Sequence, residues 1–103
     1  MTVERLETIT DAELLNIVKT CLNITGSHFD ATIQYYIAEV EQYLSSAGVL
    51  REVIDSTLAV GCIARGVSDL WNYGNGDTQL SAYFYERAEH LRFVKVKEGE
   101  ADG

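Results

Sequence analysis

Hydrophobic residues recur every three or four positions along most of the chain, which is the period of an amphipathic α-helix. Four such stretches are separated by short segments that contain glycine, asparagine or serine. The pattern predicts an all-α fold, a small bundle of about four helices in a single domain that spans residues 1–97. The predicted helices cover residues 10–23, 28–47, 51–72 and 78–92, followed by an extended segment, 93–97, and an acidic tail, 98–103, that is disordered by composition.

Start and stop signals mark the first two helices. Thr10 and Glu13 have the spacing of a capping box, in which each side chain accepts a hydrogen bond from the backbone of the other residue. Ser27 and Asp30 repeat that spacing, so Ser27 is predicted to cap the second helix. Gly48 is predicted to end the second helix in the left-handed conformation.

The third segment, residues 51–72, is apolar over more than half of its circumference and is therefore predicted to be one central, buried helix. Its last apolar residues, Leu70 and Trp71, would close it before a glycine-rich corner. Arg65 and Asp69 have the spacing of an ion pair on one helix face. The predicted core anchors of the whole bundle are Phe29, Ile33, Val40, Ile63, Val67, Trp71 and Phe84.

Two glycines lie inside the third segment. Gly61 and Gly66 each cost about 1 kcal/mol relative to alanine in a helix interior, which favours close approach of another helix. Gly61 also belongs to a stripe of small residues, and we expect this stripe to pack a helix tightly within the subunit; a subunit boundary is the alternative. The stripe consists of Thr57, Gly61, Ala64 and Ser68.

The end of the chain changes period. Residues 93–97, with the sequence FVKVK, alternate apolar and basic positions as a short β-strand does. No other strand is predicted, so this segment has no partner in its own chain and is a candidate for pairing with another polypeptide. A frayed tail is the alternative.

Composition excludes some classes of function. The net charge of −8, from 8 basic and 16 acidic residues, argues against a protein that grips nucleic acid, because phosphates require a cationic patch. Cys21 and Cys62 lack a CxxC spacing and are predicted to be reduced core thiols rather than a disulfide. We expect a soluble protein made inside the cell, since neither a signal peptide nor a stretch of roughly 20 apolar residues is visible.

Candidate chemistry is sparse. The loop Gly74–Asp77 lacks the lysine of a phosphate-binding loop and the acids of a calcium-binding loop, so it is predicted to reverse the chain between two helices, with Asp77 or Thr78 capping the second. His28 and His90 fit no metal-binding spacing and are predicted to be surface residues. Every acid is expected at a solvent-facing position, at a cap or in the tail. The sequence therefore predicts no catalytic residue, no metal site and no cofactor.

One exposed aromatic residue suggests an interface. Tyr35 precedes the core residue Tyr36 and projects to the polar side of the second helix with Glu39. Tyrosine is enriched in interfaces, although single exposed aromatic residues are common.

The order and spacing of these elements resemble those of the small head–tail connector, or head completion, proteins of tailed bacteriophages. These proteins are often labelled DNA-packaging proteins. The resemblance covers roughly residues 9–93 and rests on pattern rather than on a catalytic signature. Its matching segments are residues 13–19 (ELLNIVK), 22–24 (LNI), Asp30, residues 43–49 (YLSSAGV), the mostly apolar helix that follows, and residues 83–91 (YFYERAEHL).

The resemblance implies a virion protein rather than an enzyme. It would form a homo-oligomer, a dodecameric ring beneath the portal protein in the neck of the virion, and would lengthen the DNA channel without sequence-specific DNA binding or membrane contact. The ring would offer a docking surface to the stopper or tail. Expected contacts with the portal or between subunits are Phe93, Val94, Lys95, Val96, Tyr35, Tyr73 and Asn75.

Two other classes of function stay open. A small acidic helical module that binds or regulates one protein partner would be monomeric or dimeric. A small enzyme would require a cleft that gathers tyrosine, histidine and acidic side chains.

Overall fold

The computed structural model describes residues 2–73 and 80–96, and for Tyr73 only the backbone. Within these ranges the fold is all-α, as predicted, with five helices and two very short strands. In chain order the elements are β1 (Thr2–Val3), α1 (Asp11–Cys21), α2 (Asp30–Ser46), α3 (Arg51–Ile54), a 3₁₀ turn (Thr57–Ala59), α4 (Val60–Tyr73), α5 (Ala82–Arg92) and β2 (Lys95–Val96).

The capping box of α1 is confirmed. The backbone N–H of Glu13 donates to Thr10 Oγ1 at 3.1 Å, and the backbone N–H of Thr10 donates to Glu13 Oε1 at 2.9 Å. The pKa of Glu13 is lowered because its carboxylate accepts hydrogen bonds from the backbone and then the side chain of Thr10. Local sequence therefore fixes the start of this helix.

Of the two predicted ends of α2, only the C-terminal one is confirmed. Ser27 does not cap it: Phe29 is the N-cap residue, and no side chain bonds to the free backbone N–H groups there. Ser27 instead contributes its backbone carbonyl, which accepts from the N–H of Asp30 at 3.2 Å. At the other end Gly48 has φ of 100°, and the N–H of Val49 donates to Leu44 O at 3.0 Å, as a glycine C-cap requires.

The prediction of one helix over residues 51–72 is wrong, because the chain breaks at Ser56. The hydroxyl of Ser56 donates to Val53 O at 2.7 Å and accepts from the N–H of Leu58 at 3.2 Å, so it takes the place of helical backbone bonds. Residues of the N-terminal segment form hydrogen bonds with the backbone on either side of Ser56. Ile9 N–H donates to Asp55 O at 3.1 Å, and Thr57 N–H donates to Glu7 O at 2.8 Å.

The core forms around α4, which packs against α1, α2 and α5. Of the predicted anchors, Ile33, Val40, Ile63, Val67 and Phe84 are buried. Trp71 is half-buried against the core, and its ring meets that of Phe29 edge-on with centroids 5.3 Å apart. Phe29 itself is 42% exposed, so its assignment to the core is wrong; as the N-cap residue it lies outside the first turn of α2.

Close helix packing occurs at Gly66 and not at Gly61. A Cβ atom at Gly66 would lie 2.8 Å from Phe84 Cε1 and 2.9 Å from Val40 Cγ2, so α4 touches both α2 and α5 there. At Gly61, which is exposed, the nearest such atom would be Arg87 Nη2 at 3.8 Å. The expectation that the small stripe packs a helix within the subunit is therefore wrong at Gly61.

The C-terminal strand has a partner within the chain, contrary to prediction. β2 pairs in parallel with β1, with Thr2 opposite Lys95 and Val3 opposite Val96. Two residues at the start of the chain were too few to give a strand pattern. Residues 2–9 thus run as a strap that joins the C-terminal strand to the break after α3.

Candidate interaction surfaces

The C-terminal segment leaves α5 in a fixed conformation. Phe93 N–H donates to His90 O at 3.2 Å, and Val94 N–H donates to Leu91 O at 3.1 Å. Val94 is only 5% exposed and belongs to the core, so it is not available to a partner as predicted. Phe93 is 53% exposed and Lys95 is exposed, while Val96 is half-buried. The segment therefore holds Phe93 outward from an anchored base.

Phe93 makes a cation–π contact with Arg92. Arg92 lies over its ring, with the guanidinium carbon 4.8 Å from the centroid, and Arg92 Nη2 pairs with Glu89 Oε2 at 3.1 Å. The aliphatic part of Arg92 packs beside Gly48, where a Cβ atom would lie 3.4 Å from Arg92 Cγ. Gly48 thus leaves room for Arg92 at the end of α2.

Tyr35 is the most exposed of the large apolar or aromatic residues that the structure describes, at 62%. Its pKa is raised, first by a hydrogen bond to Glu39 and then by the charge of that carboxylate. Its ring lies beside that of Tyr36, with centroids 6.1 Å apart. Among the described contacts none joins Tyr35 to the C-terminal segment. The side chain of Tyr73, Asn75, the loop 74–77 and the proposed caps Asp77 and Thr78 lie outside the described residues.

Sequence reasoning missed two exposed tyrosines of α5. Phe84 is fully buried, but Tyr83 and Tyr85 on either side of it are 50% and 44% exposed. Tyr85 contacts Tyr43 of α2, with ring centroids 5.6 Å apart. The signal in the sequence was the alternation Tyr-Phe-Tyr, whose middle residue alone fits the period of the buried face.

A second missed feature is a buried acid. Asp69 is 5% exposed, which contradicts the expectation that all acids face solvent, cap helices or lie in the tail. The predicted ion pair with Arg65 exists, with Arg65 Nε 3.3 Å from Asp69 Oδ1. Asp69 Oδ2 also accepts from the backbone N–H of Ser81 at 2.9 Å, and Ser81 Oγ accepts from Phe84 N–H at 3.1 Å. The carboxylate therefore fixes the start of α5, which Ser81 caps.

In the described ranges the cysteines form no disulfide, and neither they nor the histidines belong to a cluster of metal ligands. Cys21 and Cys62 are both free, but only Cys62 is buried; Cys21 is exposed at the end of α1, so its assignment to the core is wrong. Burial raises the pKa of Cys62 to about 11. His28 and His90 are exposed, as predicted. No group of three or more possible metal ligands occurs among residues 2–73 and 80–96.

An open groove with a volume of about 660 Å³ lies beneath the N-terminal strap and is lined by a mixture of apolar, polar and charged side chains. Its apolar part comes from Leu6, Ile9 and Ile17, and Ile17 is 37% exposed. Its polar lining includes Glu7, Glu13 and the uncharged Thr8, Asn16 and Thr57, and histidine and cysteine do not line it.

Comparison with known proteins adds no identification. The chain matches no protein-family model, no curated protein and no solved structure. No helix in the described part of the chain is both long and apolar enough to span a bilayer.

Proposed function

We propose that this protein is a head–tail connector of a tailed bacteriophage: a structural virion protein that assembles as a ring under the portal protein, lengthens the DNA channel and provides the docking site for the stopper or tail. The proposal starts from the order of helices that resembles this family. The observation that carries it in the structure is the C-terminal segment, in which buried Val94 holds Phe93 outward.

An anchored aromatic residue suits docking. Because the backbone around Phe93 is fixed by hydrogen bonds to His90 and Leu91, little conformational entropy is lost when a partner covers the ring. Aromatic residues are also enriched at the centres of interfaces. In the described part of the chain β2 pairs only with β1, so a strand of the portal could add along the other edge of β2.

The charge of the chain fits the wall of a DNA channel. With 16 acidic and 8 basic residues, the chain has a net charge of −8 and as a whole repels phosphate. Four of the basic side chains are also paired with acids of the same chain: Lys19, Arg51, Arg65 and Arg92. DNA could therefore slide past such a ring without binding it.

The test mixes the purified protein with the portal protein of the same phage or prophage and measures the mass of the complex. We expect many copies on each portal ring. Replacing Phe93 with alanine should weaken portal binding about 30-fold, because truncating a hot-spot residue costs at least about 2 kcal/mol and about 1.4 kcal/mol is tenfold. A point variant is preferable to deleting residues 93–103, since the deletion removes buried Val94 and β2.

Phe29→Ala is the matched control, because Phe29 is exposed to a similar degree, 42%, at the other end of the bundle. It should bind the portal as the wild type does. Equal binding by Phe93→Ala would remove the C-terminal segment from the docking surface. A wild-type protein that stays monomeric or dimeric and ignores the portal would contradict the connector function and favour the small acidic interaction module.

A further inference from the structure

Two arginines of different helices face one exposed tyrosine. The guanidinium carbon of Arg65 in α4 lies 5.2 Å from the centroid of the Tyr83 ring, and that of Arg87 in α5 lies 5.9 Å from it. Arg87 Nη1 also donates to Tyr83 Oη at 3.3 Å. We call Arg65, Tyr83 and Arg87 the arginine face. Half of Tyr83 and 47% of the Arg65 side chain are exposed, so the face is accessible.

The arginine face keeps uncompensated positive charge. Arg87 forms no ion pair with any described residue, whereas Arg51 in α3 pairs with both Glu41 and Asp55. Arg65 is paired through its Nε edge only, and its partner Asp69 also accepts the N–H of Ser81. Arg65 is thus paired with a buried carboxylate, whereas Arg87 adds a positive charge that no described carboxylate pairs, on a chain whose net charge is −8.

Gly61 leaves the approach to Arg87 open. It is exposed in the first turn of α4, and a Cβ atom there would lie 3.8 Å from Arg87 Nη2. Because glycine has no side chain, nothing at position 61 covers the outer side of the guanidinium. Helix packing does not explain the glycine at position 61, whereas an open approach to Arg87 does.

We propose that the arginine face binds carboxylate side chains of a second copy of this chain. Identical copies that each carry a net charge of −8 repel one another, and a contact in which the unpaired Arg87 of one copy meets an acidic side chain of the next offsets that repulsion. Arginine can grip a carboxylate through two parallel hydrogen bonds, and arginine and tyrosine are the residue types that dominate binding energy in interfaces. The inference rests on the proposed ring, in which each subunit presents a different face to each neighbour.

The test converts the contact into a covalent bond. Arg87→Lys introduces an amine at position 87 and keeps the positive charge. This amine can form an amide with a carboxylate that a carbodiimide has activated, and the carbodiimide takes up the water of condensation and leaves as a urea. The reaction is run on the assembly with the portal and on concentrated protein alone, and peptides are identified by mass spectrometry. We expect a covalent dimer of this chain linked through position 87.

Arg51→Lys is the matched control. Because Arg51 already pairs with Glu41 and Asp55, the amine introduced there should form links within one chain only. Links from position 87 to the portal, links within one chain only, or the wild-type pattern in both samples would overturn the inference. Failure of the wild type to assemble with the portal would refute the ring, whereas assembly without a copy-to-copy link at position 87 would refute only the arginine face.

Discussion

Adding one methyl group at Gly66 perturbs the tightest contact of the fold. The new Cβ would lie 2.8 Å and 3.0 Å from two ring carbons of Phe84 and 2.9 Å from Val40 Cγ2. Neither neighbour is a flexible end: Phe84 is 0% and Val40 1% exposed, so both are held on all sides. Overpacking of this kind costs about 1–3 kcal/mol, and the gain of about 1 kcal/mol from replacing glycine in a helix offsets only part of it. We therefore expect Gly66→Ala to lower the free energy of unfolding by up to about 2 kcal/mol.

Gly61→Ala is the control, because it makes the same chemical change in the same helix without a close neighbour. We expect it to be neutral or to stabilise the protein by about 0.4–1 kcal/mol. Urea unfolding followed by circular dichroism gives both values, and the fluorescence of Trp71, the single tryptophan, reports on the contact between α2 and α4. If Gly66→Ala proved as stable as Gly61→Ala, α5 would not be seated on α4 as described.

Two further predictions concern titratable groups. Cys21 should react with a thiol reagent in the native protein, whereas Cys62, buried and with its pKa raised to about 11, should react only after unfolding; rapid labelling of both would mean that α5 opens readily. Glu13→Ala should lower stability at neutral pH but not in acid, because a carboxyl whose pKa is lowered below 4.5 in the folded state stabilises above 4.5 and loses its effect as the pH falls through the lower folded value. A difference that does not depend on pH would exclude the charged cap as its cause.

Local signals in the sequence predicted the helices that depend on local contacts. The capping box of Thr10 and Glu13 and the left-handed Gly48 each involve residues a few positions apart, so their spacing alone is informative. The buried faces of α2 and α4 follow the helical period for the same reason. These features account for the all-α fold and for most of the core.

The misses share a different cause, which is contact between residues far apart in the chain. The break at Ser56 depends on backbone hydrogen bonds in which Glu7 O accepts and Ile9 N–H donates, and the pairing of β2 depends on the first residues of the chain. Periodicity could not distinguish Gly61 from Gly66, because both lie in one apolar segment and only the position of Phe84 separates them. The predicted interface contains the same kind of error, since Val94 fits a strand pattern but its side chain is buried in the core.

The contacts that sequence did not reveal are the ones that position α5. Gly66 of α4 makes room for the ring of Phe84, Asp69 holds the N–H of Ser81, and Cys62 Sγ lies 4.0 Å from Phe84 O. Both proposed surfaces depend on this helix, because Arg87 and Tyr83 lie on it and Phe93 follows its last turn. A change that loosens α5 should therefore weaken portal docking and copy-to-copy contact together, whereas Phe93→Ala should weaken portal docking alone. That result would tie the two proposed contacts to one element of the fold.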